Sequence, residues 1–225
     1  MSRHARCLVP GVAYHVTQRG SNRQDVFFKR RDRLVYLDLL ARNIADCGVH
    51  VYSYCLMTNH IHMVVRPDEE DSMPRLYRRL QSRYASYVNL TYGRTGHLWH
   101  NRYYCCMLDE PHLWNANRYV ERNPVRAGIV ERPADYEWSS TRAHLTGVDP
   151  TGVLDMQYWQ LAGGAAGWRD MLADPDNHMQ IRILRKCTYA GKPCGSQNFL
   201  EEMEARFDRK WRRLKCEQPL TMAAS

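Results

Sequence analysis

The residues of this 225-residue chain best suited to chemistry begin with two histidines, His60 and His62, separated by one residue. In an extended strand successive side chains point to opposite faces, so both imidazoles face one way and Ile61 the other. Ile61, Val64 and Val65 can anchor such a strand, and Thr58-Asn59 ahead of it reads as a tight turn. Two imidazoles on one face of one strand are half of a metal site. Further on, His112, Asn115, Tyr119 and Asn123 recur every three or four residues, as neighbours on one helix face do. They border an apolar edge of Leu113, Ala116 and Val120, the pattern of a helix that lines a cleft.

Combined, the two imidazoles and the Asn123 carbonyl oxygen could hold a divalent ion with open positions. Mixed nitrogen and oxygen donors suit Mn²⁺ or Mg²⁺, and such an ion could polarise a phosphate oxygen. A tyrosine hydroxyl beside it could act as nucleophile. With an ordinary pKa of about 10, that phenol needs a nearby cation, metal or base to lose its proton, and the sequence names none. Among fourteen tyrosines, Tyr84, Tyr87, Tyr92, Tyr103 and Tyr104 compete with Tyr119 for the role.

The elements that must position these groups follow from periodicity. A loosely alternating strand spans 11–18, with Val12, Tyr14 and Val16 on one side. A helix over 31–47, with Leu34, Leu37, Ala41 and Ile44 as its stripe, is closed by Gly48. Strands at 49–57 and 60–66 form a hairpin. A second helix, 72–92, buries Leu76, Leu80, Tyr84 and Val88. A fourth strand spans 97–108, and a third helix, 109–123, is stopped by Pro124. The order β-α-β-β-α-β predicts an α+β, ferredoxin-like, four-stranded antiparallel sheet with two helices on one face and the first and third strands central. The added third helix is the one that would carry the catalytic group. From about Gly147 to Pro175 a looser connector has short helical pieces, its Trp159 and Trp168 packing back on the main domain. A last helix, 196–215, has Phe199, Met203, Phe207, Trp211 and Leu214 on one stripe. The expected division is a catalytic domain, 1–146, and a connector with a basic helical extension, 147–225.

The net charge of +8, carried mostly by arginine, points toward phosphate-bearing partners. On the second helix Arg75, Arg79 and Arg83, joined by Arg78, read either as a phosphate-contacting ridge or as a solvated face. None of the eight cysteines forms a Cys-x-x-Cys pair, so a structural zinc site is not indicated. No secretory signal and no membrane-spanning run is evident. Free thiols in a reducing cytosol are expected.

His60-Ile61-His62, with Asn59 before it, is followed by Gly96-His97-Leu98-Trp99-His100-Asn101-Arg102-Tyr103 and Tyr119-Val120-Glu121-Arg122-Asn123-Pro124-Val125-Arg126-Ala127-Gly128. In this order the motifs resemble those of the single-tyrosine HUH transposases. Tyr136-Glu137-Trp138-Ser139-Ser140 is similar to the REP-associated tyrosine transposase branch. The resemblance covers roughly residues 10–145. It implies a ferredoxin-like domain in which His60 and His62 are the metal pair, Tyr119 is the nucleophile and Asn123 completes the metal site, where relatives often carry glutamine. It implies attack on single-stranded DNA beside an imperfect, REP- or BIME-like hairpin, giving a 5′-phosphotyrosine link and a free 3′-hydroxyl without ATP. A cytoplasmic, nucleoid-associated monomer or homodimer is expected. Arg19, Arg23, Arg75, Arg78, Arg79, Arg83 and Arg102, with Arg3 and Arg6, could track phosphates. Trp99, Tyr103 and Tyr104 could stack bases or be buried in the sheet. The competing readings are a hairpin-binding protein that no longer cuts and a metal-dependent hydrolase using water.

Overall fold

The computed structural model describes residues 8–165 and 167–211. Strands β1 (Ala13–Arg19), β2 (Val49–Leu56), β3 (His60–Pro67) and β4 (Tyr104–Leu108) form one antiparallel sheet in the order β2-β3-β1-β4. Alternation sorts its two faces. Tyr14, Val16, Ile61, Met63, Val65 and Met107 point into a core with helices α1 (Arg30–Ile44) and α2 (Ser72–Tyr92). The opposite face carries His15, Thr17 and Arg19 from β1 and His60, His62 and Val64 from β3. The register pairs Thr17 with His62 and Arg19 with His60. The chain thus has the ferredoxin-like arrangement, with β1 and β3 in the middle.

The histidine face is covered. Helix α3 (Glu110–Glu121) lies across β2 and β3 and buries Leu113, Ala116, Tyr119 and Val120 against Val64 and Cys55. Asp109 caps it, accepting a hydrogen bond from the His112 backbone N–H at 3.1 Å, and Pro111 sits in the first turn, where no intrahelical N–H is needed. Beyond it come α4 (Asn123–Arg126), α5 (Thr141–Thr146), α6 (Met156–Leu161), α7 (Trp168–Ala173), α8 (His178–Ala190) and α9 (Gln197–Phe207). Helix α8 packs on β4 and buries Leu184, Cys187 and Thr188. Trp159 and Trp168 are buried against Trp114 of α3, with ring centroids 5.7 and 5.9 Å away.

Several expectations from periodicity need correction. On α1 the buried positions are Tyr36, Leu37 and Leu40, while Leu34 is exposed, because the helix leans its other edge on the sheet. The fourth strand begins only at Tyr104. Residues 97–103 are irregular and cross the end of β1, where Gly20 bridges Trp99 and the His100 N–H donates to the Arg19 carbonyl at 2.8 Å. Gly20 is needed there, since a Cβ would collide with the Gln24 carbonyl oxygen. Pro124 does not end helical structure; it sits in the first turn of α4. The last helix stops at Phe207, where Asp208 turns the chain with φ 44°; Arg212, Arg213, Leu214 and Lys215 lie outside the described residues. Helix α8 had no counterpart among the expected elements. Its signals were an Asn177 cap, Ile181, Leu184 and Cys187 at helical spacing, and Gly191 at its end.

Candidate active site

Strand β3 presents His60 and His62 side by side, their ring centroids 5.0 Å apart. Each has its Nδ1 engaged. His60 Nδ1 lies 2.7 Å from the Asn59 side-chain oxygen, which can only accept, so that nitrogen carries the proton. His62 Nδ1 lies 3.0 Å from Nε2 of His15, a residue of β1 that is not among the expected site residues. The chain of bonds beyond His15 sets the direction. Thr188 donates its hydroxyl to the Leu184 carbonyl at 2.7 Å, so it accepts from His15 Nδ1–H, also at 2.7 Å. A neutral imidazole has one N–H, so His15 Nε2 accepts and His62 Nδ1 donates. Both strand histidines therefore keep Nε2 as the lone-pair nitrogen, the arrangement that second partners impose on metal-binding histidines.

All three rings are held neutral. Burial is the largest cause, with nearby arginines adding to it: His15 is pulled down to about 3, His60 to about 4, and His62 well below 6.5. Neutral imidazoles are the form that binds a cation.

Tyr119 projects from α3 onto these rings. Its centroid is 5.4 Å from that of His62 and 5.4 Å from that of His15, edge-on in both cases. Two guanidiniums flank it. Arg126 lies 4.3 Å from the ring centroid and donates to the Tyr119 carbonyl. Arg185, from α8, donates through Nε to the phenol oxygen at 3.1 Å, and that bond raises the arginine's already high pKa. A hydrogen bond donated to the oxygen stabilises negative charge that develops when the phenol proton leaves. Periodicity could not name this neighbour of Tyr119, since it comes from 66 residues further along the chain. Asp176 anchors the approach to the site, pairing with Arg118 at 3.3 Å, Arg122 at 2.8 Å and Arg126 at 3.4 Å. Burial pushes its carboxyl up, but Arg126 and Arg122 outweigh that and hold it below the usual carboxylate range. His112, Asn115 and Tyr119 line a cleft whose other wall is Gln180, Ile181 and Leu184 of α8.

Asn123 opens α4, buried, with its side-chain amide nitrogen unpartnered among the described residues. Two imidazoles with lone pairs on Nε2, joined by a side-chain carbonyl oxygen such as that of Asn123, are donors of the kind a divalent ion takes. Among the described residues no group of three or more His, Cys, Asp or Glu side chains is disposed to hold a metal.

The arginines expected on DNA divide. Arg19 ends β1 on the histidine face, opposite His60. Arg23 is exposed in the turn after it. Arg102, exposed, lines a broad groove with Gln81, Ser82, His97 and His100 at the same end of the sheet. Arg78, Arg79 and Arg83 are exposed on α2, behind the sheet from the histidines, and Arg75 is engaged with Glu69 and Asp71 at 3.0 and 3.4 Å. Trp99 and Tyr103 belong to the core on the α1–α2 side, which removes them as base-stacking surfaces. Tyr104 is half-buried, its ring 5.1 Å from that of Tyr189. Arg3 and Arg6 lie outside the described residues.

Residues 8–123 match the family described as "Transposase IS200 like", and the chain belongs to that family. Membership implies nuclease and strand-transfer activity. No curated protein sequence matches this chain. Among solved structures it is similar to a REP-associated tyrosine transposase bound to a REP hairpin, with a TM-score of 0.57 and 17% identity, covering 69% of this chain and 94% of that one. That likeness shows the fold. A putative transposase from Deinococcus radiodurans matches with a TM-score of 0.37 and 18% identity, over 54% of this chain and 97% of that one. Among the described residues no helix is long and apolar enough to cross a membrane.

Proposed function

We propose that the protein is a metal-dependent endonuclease and strand transferase for single-stranded DNA, with Tyr119 as nucleophile. The observation that carries this reading is the phenol of Tyr119 set edge-on against His62, 5.4 Å between centroids, under a guanidinium that donates to its oxygen. Attack of the Tyr119 oxygen on a phosphodiester forms a P–O bond to the 5′ side and breaks the bond to the 3′-oxygen, which leaves with the phenol's proton. The 3′-hydroxyl of another strand can reverse the step, so no nucleotide cofactor is consumed. A Mg²⁺ or Mn²⁺ ion held by His60, His62 and Asn123 would polarise the scissile phosphate.

The substrate we infer is DNA flanking an imperfect hairpin of the REP type, as for the protein of similar fold, whose structure contains a REP hairpin. Arg19, Arg23 and Arg102 would track its phosphates at the end of the sheet near His60. Phenol and imidazoles come from one chain, so the chemistry needs no second copy. On this reading residues 1–146 carry the nucleophile and the histidines, 147–225 supply the covering helix, and the protein acts on chromosomal DNA in the cytoplasm.

The test compares wild type and Tyr119→Phe on a 3′-labelled hairpin oligonucleotide with Mn²⁺, read on a denaturing gel, since a 5′-phosphotyrosine link retains the fragment that carries the 3′ end. A protein–DNA adduct with wild type alone supports the reading; equal nicking by both proteins removes Tyr119 from the mechanism. A second reading, a hairpin-binding protein that no longer cuts, is favoured by the burial of Tyr119, only 4% exposed beneath α8. Tight binding by the wild type with no adduct and no nick would select it. Nicking without an adduct would point instead to hydrolysis by water.

A further inference from the structure

We propose that Arg185 is a catalytic residue of this enzyme. It donates to the attacking oxygen of Tyr119 before the reaction and to the phosphodiester as the new P–O bond forms. The inference rests on the reading of Tyr119 as nucleophile. It adds a residue from α8, outside the 8–123 span that defines the family match.

Three observations carry it. The Arg185 Nε is 3.1 Å from the Tyr119 phenol oxygen, so the contact is to the reacting atom itself. The two groups face each other through packing: Leu184 is buried beside Tyr119 in one apolar cluster, while Thr188, one turn on, is tied to His15 at 2.7 Å. That fixes the rotation of α8, and with it the direction in which Arg185 points. Third, Arg118, Arg122 and Arg126 share the carboxylate of Asp176, whereas among the described residues no carboxylate is in ion-pair contact with Arg185. A guanidinium has five donors and no acceptor. One is spent on Tyr119, and the group remains partly exposed, open to a phosphate that comes within reach of the phenol. Fork geometry lets it hold two oxygens at once. As the Tyr119 oxygen bonds to phosphorus and the 3′-oxygen departs with the phenol proton, charge grows on the non-bridging oxygens, where a preorganised cation stabilises the transition state more than the ground state.

The experiment uses the full chain, a labelled hairpin oligonucleotide and Mn²⁺, with enzyme in excess. It reads the rate of covalent adduct formation by gel and the DNA dissociation constant by anisotropy for wild type, Arg185→Ala, Arg185→Lys and Tyr119→Phe. Arg185→Ala should slow adduct formation about 100-fold while changing the dissociation constant far less. Arg185→Lys should recover part of the rate, and added guanidinium should partly rescue the alanine variant, which a misfolded protein would not allow. An alanine variant as fast as wild type, or faster, overturns the proposal, the latter because Arg185 would then be restraining Tyr119. A loss confined to DNA affinity overturns it too. If the wild type forms no adduct, or Tyr119→Phe still does, the nucleophile assignment falls and takes this inference with it; a normal Tyr119 dependence with an indifferent Arg185 sinks the inference alone.

Discussion

His15 Nε2 accepts the Nδ1 proton of His62 across 3.0 Å, one imidazole orienting another between the two central strands of the sheet. His15 is itself held by Thr188, 173 residues away, so a helix near the end of the described chain determines which nitrogen His62 offers. His15→Ala should therefore lower Mn²⁺ affinity by about 10- to 100-fold without abolishing binding, in line with other outer partners of metal histidines. Thr188→Val should act in the same direction and more weakly. Titration calorimetry on the two variants checks this, and unchanged affinity in both would show that the relay does not tune the site.

Acid should destabilise the metal-free protein in a defined window. His15 and His60 are depressed to about 3 and about 4, and His62 lies well below its ordinary 6.5. On unfolding all three return toward 6.5, so between pH 6.5 and about 4 the unfolded chain binds protons that the folded one does not. The stability from burying neutral rings is complete above pH 6.5 and is lost as the pH falls toward 4. Three protons correspond to a slope of at most about 4 kcal/mol per pH unit. Urea midpoints from pH 7.5 to 4.5 in a chelator measure it, and a flat profile across that range contradicts the assignment.

Glu121 is a structural acid inside the helical layer. Fully buried, it accepts from Ser140 and His144 at 2.5 Å each and from the Trp168 indole at 2.9 Å, tying α3 to α5 and α7. Glu121→Ala leaves these groups without their acceptor and should cost about 3–5 kcal/mol; Glu121→Gln, which retains an acceptor oxygen, should cost less. Equilibrium unfolding gives both values, and a loss under 1 kcal/mol for alanine would mean that solvent replaces Glu121.

The arginines should separate by position. Arg102→Ala and Arg19→Ala should each lower the salt dependence of hairpin binding by about one phosphate contact. Arg75→Ala should do little, because Glu69 and Asp71 already engage that side chain. Anisotropy titrations between roughly 50 and 300 mM salt give the slopes. An Arg75 effect as large as that of Arg102 would place the DNA on the α1–α2 side of the sheet instead.

Much of the frame was legible in advance. The span of α2 and the hairpin that carries His60 and His62 are set by local alternation and by apolar stripes at helical spacing, which repeat within a few residues, and the strand order follows from the order of the elements. The facing of His60 and His62 to one side follows from the two-residue period of a strand alone. Where local signals conflicted, tertiary packing won. Leu34 looked like part of a buried stripe but is exposed, while Trp99 and Tyr103, rich in strand character, lie in an irregular segment whose side chains fill the core.

The partners of those residues could not be read in this way. His15 sits on the face of β1 opposite the apolar Val12-Tyr14-Val16 side, Arg185 in a helix with no counterpart among the expected elements, and Asp176 in the turn before it. Each acquires its role through a contact spanning about fifty residues or more. Periodicity records which face of an element is buried, but not which other element will cover it, because that choice rests on the shape and packing of the whole layer. Alternation alone could aim His60 and His62 at a common side. The placing of α3 and α8 over that side, which brings Tyr119 to their rings and Arg185 to its oxygen, belongs to the packed structure.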